Sequence, residues 1–378
     1  MRTRRTIALI ILLAVIGCAF ALYILYPREP ISEGMPLSYW ADQYYTSKWV
    51  TPNKSLETQA QNAIRHISVQ ARPALLKMLA TRESALRIWV TARVPIVVLK
   101  KLNILDKSEY RDRIHEHRRL GAEGLAALGS DAKPAVPALI ALLKDENEGV
   151  RGLTLYTLGC LGPNARDALP ILIAQLDDPE ESDSIKIEAI LALDRIHIEP
   201  ELVVPILTKH AEEFRNGNNQ FLLQITLGAM SRFGLHARQS VPVFVEVLTS
   251  NDQNMRAFAA QYLGRFGLAA EDAIPVLLKC LDDPELLVRY RAATALGDIG
   301  ARSDVVIPAL IEKLDESHRA TNNYQGAIVA LGAFRGQSKA ALPRILEFLN
   351  DQDYNLRAAA TNALKQIDPE AAAKAGVK

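Results

Sequence analysis

The chain has 378 residues, about half of them apolar, with few aromatics and a formal net charge of +1. That balance gives no reason to expect a polyanionic partner, so nucleic acid is not expected among its ligands. Three cysteines make no disulfide framework, and no Cys/His group has metal-ligand spacing, so neither a metal nor another cofactor is expected.

Arg2, Arg4 and Arg5 precede an uncharged apolar run from Ile7 to Tyr26, closed by Pro27-Arg28-Glu29. About 20 apolar residues suffice to cross a bilayer. Three arginines before the run, against Arg28 and Glu29 after it, place the N-terminus inside. The sequence therefore predicts one transmembrane helix in residues 1–26, an uncleaved anchor with the rest of the chain outside the cytoplasm. A processed signal is the alternative, including lipid attachment at Cys18, because Val15-Ile16-Gly17-Cys18 fits a loose lipobox.

Residues 27–55 read as a linker and capping segment. Leu37, Trp40, Ala41 and Tyr44 have helical spacing and predict a helix laid on the first repeat; an exposed aromatic patch is the sharper alternative. Ser55 is expected to cap the next helix, with Leu56, Ala60, Ala63, Ile64 and Ile67 along one face. Pro73 is expected to open another helix, and the rhythm continues to Val98 with a kink at Pro95. Between 106 and 119, Lys107, Arg111, Arg113, Arg118 and Arg119 interleave with acidic residues, which predicts a solvated helix face.

From Gly121 a unit of two short helices repeats. Prolines 137, 170, 205, 242, 275, 308 and 343 mark successive first helices, at intervals of 33, 35, 37, 33, 33 and 35. The second helices end in Leu-Gly segments such as Leu263-Gly-Arg-Phe-Gly267 and Leu296-Gly-Asp-Ile-Gly300, whose glycines can supply left-handed caps. In the copy at 273–301, Asp283-Pro284-Glu285 is expected to start the second helix. The copy at 170–198 departs from the pattern, ending in Leu193-Asp-Arg-Ile196. Such a pair cannot enclose a core alone and must stack on copies of itself. The fold class follows: all-α, a right-handed α-solenoid of about eight helix pairs over 56–378, with clear repeats in 130–366 and no sheet.

The pattern Pro-x-Leu-x-x-x-Leu-x-Asp, then Val-Arg-x-x-Ala-x-x-Ala-Leu-Gly-x-Ile-Gly, resembles HEAT repeats, especially the short type also found in phycobilisome lyases. The order of anchor, Gly34-to-Trp40 segment and repeats is also similar to anchored HEAT-repeat proteins of environmental bacteria. The resemblance implies an armadillo- or HEAT-like superhelix and a binding surface.

No motif amounts to an active site: there is no phosphate loop, no Gly-x-Ser-x-Gly, no two-histidine metal helix and no Cys-x-x-Cys. The protein is expected not to be an enzyme. Arg151, Arg256, Arg289 and Arg357 each follow an acidic turn at the start of a second helix. They form either a ladder that bridges neighbouring repeats, as the resemblance implies, or a line on the concave face that binds carboxylates or phosphates. Two intra-repeat turns are longer and polar, and repeat insertions often mark the binding face. They offer Arg215, Asn218 and Asn219 in one, and His318, Arg319, Asn322 and Tyr324 in the other, with Tyr324 as the aromatic anchor. The function expected is an anchored scaffold for another protein; the alternative is a lyase or chromophore-attachment factor.

Overall fold

The computed structural model describes residues 29–83, 107–217, 219–315 and 324–377. The anchor predicted in 7–26, Cys18 and the kink predicted at Pro95 lie outside them. The described residues are nearly all helical and fall into two compact units, Met1–Asn164 and Ala165–Lys378.

The first unit opens on a small hairpin, where the sequence predicts no strand. β1 (Ile31–Ser32) pairs antiparallel with β2 (Met35–Pro36). Glu33 and Gly34 between them both have positive φ, the geometry that a two-residue hairpin turn demands. Helix α1 (Leu37–Tyr45) then buries Leu37, Trp40, Ala41 and Tyr44 as their spacing predicts, so these four form a cap and not an exposed patch. The Trp40 indole Nε1 donates to the Ser32 carbonyl at 2.8 Å, which ties the cap to the hairpin.

Helix α2 (Lys54–His66) is capped by Asn53 rather than Ser55, because the Asn53 Oδ1 accepts the Leu56 amide at 3.1 Å. Helix α3 (Ser68–Leu79) begins five residues before Pro73 instead of at it. The proline faces solvent, where the carbonyl it leaves without a donor meets water. Helix α4 (Lys107–Leu128) lies against α1 and α3, and a Cβ at Gly121 would sit 2.5 Å from the Leu79 amide nitrogen. Helices α5 (Val136–Leu142) and α6 (Glu148–Leu161) complete the unit, α6 beside α4.

The second unit repeats the pair. Its helices are α7 (Leu169–Asp177), α8 (Asp183–Ile196), α9 (Pro200–Asn216), α10 (Gln220–Arg232), α11 (Val241–Val247), α12 (Gln253–Arg265) and α13 (Ile274–Cys280). Then come α14 (Leu286–Ile299), α15 (Ser303–Glu312), α16 (Tyr324–Ala333), α17 (Leu342–Glu347), α18 (Tyr354–Ile367) and α19 (Pro369–Lys374). From α8 to α18, each even-numbered helix packs on the next even-numbered one, so the second helices of successive repeats stand side by side.

Five first helices follow a seven-residue 3-10 turn and carry their proline at the N-terminus: Pro137, Pro170, Pro242, Pro275 and Pro343. There the missing amide has no helical partner to lose. Each of these turns starts at a left-handed residue, glycine at 129, 162, 234 and 267 but Arg335 in the last. Pro205 and Pro308 differ: they lie inside α9 and α15, which start five residues earlier. In those two junctions the 3-10 turn is replaced by two left-handed residues, His197 and Glu199 in one, Gly300 and Arg302 in the other.

Gly300 caps α14 in the left-handed conformation, as expected, but Gly297 does not. A Cβ on Gly297 would lie 2.8 Å from the Ala330 Cα of α16, so this glycine marks a close helix crossing. Gly264 against Ala295 and Gly332 against Ala363 repeat the arrangement, each at 3.1 Å. In the divergent copy Asp194 stands where that glycine would be, buried, with its carboxylate ion-paired to Arg232 of α10. The start of α14 is also corrected. Asp283 accepts the Glu285 amide at 2.9 Å and Glu285 is the N-cap, so Asp283-Pro284 belongs to the turn.

Candidate functional site

The four ladder arginines share one geometry. Each lies four residues after the N-cap of its helix: Arg151 after Asn147, Arg256 after Asp252, Arg289 after Glu285, Arg357 after Asp353. From there the Nη1 of each donates to two carbonyls of the preceding turn. Arg151 reaches Asp145 and Glu146 at 2.9 and 3.3 Å, and Arg256 reaches Ser250 and Asn251 at 2.9 and 3.2 Å. Arg289 reaches Asp283 and Pro284 at 2.7 and 2.8 Å, and Arg357 reaches Asp351 and Gln352 at 2.7 and 2.9 Å. The planar fork of a guanidinium suits two acceptors at once, which lysine would not match. The effect is to staple the turn between the two helices of a repeat.

A second set of contacts joins one repeat to the next. Arg256 grips Asp283 with Nε and Nη2 at 2.8 and 2.9 Å, both side chains largely buried. Lys313 pairs with Asp282 at 2.6 Å, Lys209 with Asp177 at 2.8 Å, and Arg344 with Asp315. Burial pushes the Asp283 carboxyl up, but the Arg256 hydrogen bonds and the Glu285 amide outweigh it and hold it below the usual range. For Asp177 the Lys209 hydrogen bond leads, and the carboxyl is again held low.

Arg118, thirty-three residues before Arg151, also holds turns but with different contacts, and the sequence reading missed it. The face expected to be solvated instead buries this residue. Its Nε donates to the Thr81 carbonyl at 2.7 Å and its Nη1 to the Asn147 Oδ1 at 3.0 Å. Arg119 beside it pairs with Asp42 at 2.9 Å and stacks 3.8 Å from the Tyr45 ring. Both arginines hold the cap and the turns in place. The 33-residue step back from Arg151 was the signal available for Arg118. Arg118 also lines a shallow cleft of about 250 Å³ with Arg82, Glu83, Asp145, Glu146 and Asn147.

The turn residues offered for partner contact divide. Arg215 is partly exposed and pairs with Glu246 at 2.7 Å. Asn219 caps α10, accepting the Leu222 amide at 3.2 Å, and its amide donates to Asp183 at 3.0 Å. Tyr324, expected as an exposed aromatic anchor, turns inward instead: it is 6% exposed, with its hydroxyl donating to the Asp315 carbonyl at 3.2 Å and its ring 5.1 Å from Phe348. Opening α16 turns this side chain onto the next repeat. Asn218, His318, Arg319 and Asn322 lie outside the described residues.

One further polar cluster sits beneath the cap in the first unit. Glu123 is buried and accepts the Tyr156 hydroxyl at 3.1 Å, while the Lys48 ammonium meets the Tyr44 hydroxyl at 3.1 Å. Burial, with Cys160 and Glu123 nearby, drives the Tyr156 phenol upward, which leaves it neutral and suited to donating. Cys280 in the second unit is buried and its thiol is pushed up to about 11, so it is a packing residue rather than a nucleophile. Among the described residues no group of three or more His, Cys, Asp or Glu is placed to hold a metal ion.

Solved structures similar to the chain are remote. An engineered protein is 17% identical with a TM-score of 0.43, the match covering 88% of this chain and 98% of that one. YibA of Escherichia coli is 18% identical with a TM-score of 0.47, over 76% of this chain and 98% of that one. Kap121p, in a crystal structure bound to Nup53p, is 13% identical with a TM-score of 0.47, over 90% of this chain; the match spans 46% of Kap121p, about half its length. No curated protein sequence matches. The pattern described as HEAT repeats matches residues 107–194, 241–322 and 307–375, more than half of the chain, and with the stapled helix pairs it identifies the protein as a member of the HEAT-repeat family.

Proposed function

We propose that the protein is a membrane-anchored scaffold whose HEAT repeats hold another protein outside the cytoplasm. The observation that carries the reading is the stapled edge of intra-repeat turns, whose backbone is fixed from within while its side chains face solvent. Partner contacts are assigned to Arg215, Asn218, Asn219, His318, Arg319 and Asn322. Arg256, Arg289 and Arg357 shape that edge in the second unit, Arg151 staples a turn of the first, and Tyr324 holds the turn that starts at Asp315. The anchor rests on the run from Ile7 to Tyr26 and the arginines before it.

The test has two parts. A reporter active only outside the cytoplasm, fused after Lys378, is expected to be active, with the protein kept in carbonate-washed membranes; release as a shortened soluble form overturns the anchor. Cross-linking in intact cells is expected to trap a stoichiometric protein partner, lost when the 213–220 and 315–325 turns are trimmed to the length of the 281–284 turn. Retention of the partner after trimming refutes the assignment of the edge. A tetrapyrrole that copurifies in place of a protein replaces the scaffold reading with the chromophore-attachment one.

A further inference from the structure

Four large apolar side chains stand out in water at the turn edge of the second unit, one of them Tyr354 in the first turn of α18, 72% exposed. Phe221, in the first turn of α10, is 59% exposed, and Leu286 and Leu287, in the first turn of α14, are 50% and 51% exposed. Helix α12 lies between those two helices, and its first turn presents the polar, exposed Gln253 and Asn254. Phe221 and the leucine pair are therefore two layers apart, about 16–20 Å at 8–10 Å per layer. One layer before Phe221, in the turn that leads into α8, Asp178, Glu180, Glu181 and Asp183 form an acidic stretch.

Charge along this edge is sorted by depth. Three cations of these turns are drawn inward: the Arg256, Lys313 and Arg289 side chains lie beneath the surface, held by Asp283, Asp282 and turn carbonyls. Carboxylates other than Asp283 point out, with Asp282 at 67% and Glu246 at 52% side-chain exposure and Glu285 also exposed. A ligand that lies along the edge meets carboxylates and apolar side chains, while the exposed Lys209 and Arg215 are already paired to Asp177 and Glu246. Charge complementarity then selects its sign.

We infer that this edge binds an extended, basic segment of another protein. Two large apolar residues of the segment seat on Phe221 and on the Leu286–Leu287 pair. At about 3.3–3.6 Å per extended residue, 16–20 Å separates those two residues by about five or six positions. A cluster of Lys or Arg lies about three positions beyond the residue on Phe221, over the turn from Asp178 to Asp183, by the same rise. This rests on the scaffold reading and names the chemistry of its partner.

The experiment uses the full chain in mild detergent and three fluorescein-labelled 14-residue peptides. The first has a Lys-Arg-Lys cluster, a Phe three positions on and a Leu five positions after that; the second has Glu for each basic residue; the third has Phe and Leu two positions apart. Fluorescence polarisation is expected to show binding of the first, weakened by added salt, with the other two at least about tenfold weaker. Phe221→Ser and Leu287→Ser are each expected to weaken it about tenfold with unchanged far-UV circular dichroism, and Glu180→Gln with Glu181→Gln to reduce the salt dependence. Equal binding of the acidic peptide, no measurable binding of the first, or indifference to both serine variants overturns the inference. A partner still trapped in cells by the Phe221→Ser, Leu287→Ser chain leaves the scaffold standing and this inference refuted; no trapped partner for the unaltered chain refutes the scaffold itself.

Discussion

Gly297→Ala tests the packing that defines the second unit. In an exposed helix interior this change stabilises by about 1 kcal/mol, since alanine has the best helix propensity and glycine nearly the worst. At position 297 the new methyl would sit 2.8 Å from the Ala330 Cα and 3.2 Å from its Cβ and carbonyl oxygen. That is about 0.6 Å inside ordinary contact, against backbone that has no rotamer to yield, so α14 and α16 must move apart. Overpacking of this kind costs about 1–3 kcal/mol and more where no side chain can move, so a net loss of about 1–2 kcal/mol remains after the propensity gain. Gly336→Ala supplies the contrast, because nothing lies within 4 Å of its added Cβ and its φ is not positive. It is expected to stabilise by about 0.4–1 kcal/mol through the unfolded chain. Urea unfolding of the full chain by far-UV circular dichroism, with hydrogen exchange of α14 and α16, measures both. Each variant's midpoint is compared with the parent's, since stacked repeats need not unfold in one step. A stabilised Gly297→Ala protein with unchanged exchange would refute the close crossing.

Arg335→Gly is expected to stabilise the protein by about 1 kcal/mol, read as a higher unfolding midpoint, because Arg335 occupies the left-handed place that glycine fills in four sister turns; a lower midpoint refutes the strain. Asp283→Asn is expected to cost about 2 kcal/mol at neutral pH by leaving the largely buried Arg256 guanidinium without its charge partner. The folded Asp283 carboxyl is held low, so its contribution is present above about pH 4 and lost as pH falls through the folded value. Acid titration of stability in that window is expected to be shallower in Asp283→Asn, and an unchanged slope counts against the pairing. Leu296→Ala, at a fully buried position, is expected to cost about 2–5 kcal/mol in the same urea assay, and a loss under 1 kcal/mol places the side chain outside the core.

The prolines and glycines carried most of what was legible in the sequence. A fixed period with Pro at each first helix and Leu-Gly at most second ones is enough to derive paired helices. What the period hid was how junctions differ: Pro205 and Pro308 keep phase with the others although their helices begin five residues sooner. Two helix starts were misplaced by two residues: Asn53, not Ser55, reaches the free amide of Leu56, and the Asp283 carboxylate closes the turn on the Glu285 amide instead of capping the helix. The candidate site was less legible. The arginines were visible as a series, but their acceptors are main-chain carbonyls, which leave no mark in residue identity. Arg118 was hidden by its interleaved charges, and Tyr324 by a loop whose composition gave no sign of an inward turn.

A turn held by an arginine outside it has a history different from one held by its own side chains. When carbonyls provide the grip, any residue at those positions supplies the same acceptor. Substitutions in Asn251, Pro284 or Gln352 can then accumulate without loosening the loop, as can duplication of a whole repeat with its staple included. Selection for a new binding specificity is thereby separated from selection for folding. The lineage is free to exchange one recognised molecule for another at little risk to the body that presents it, and rapid drift at the turns beside fixity at the arginines is the signature such a history would leave.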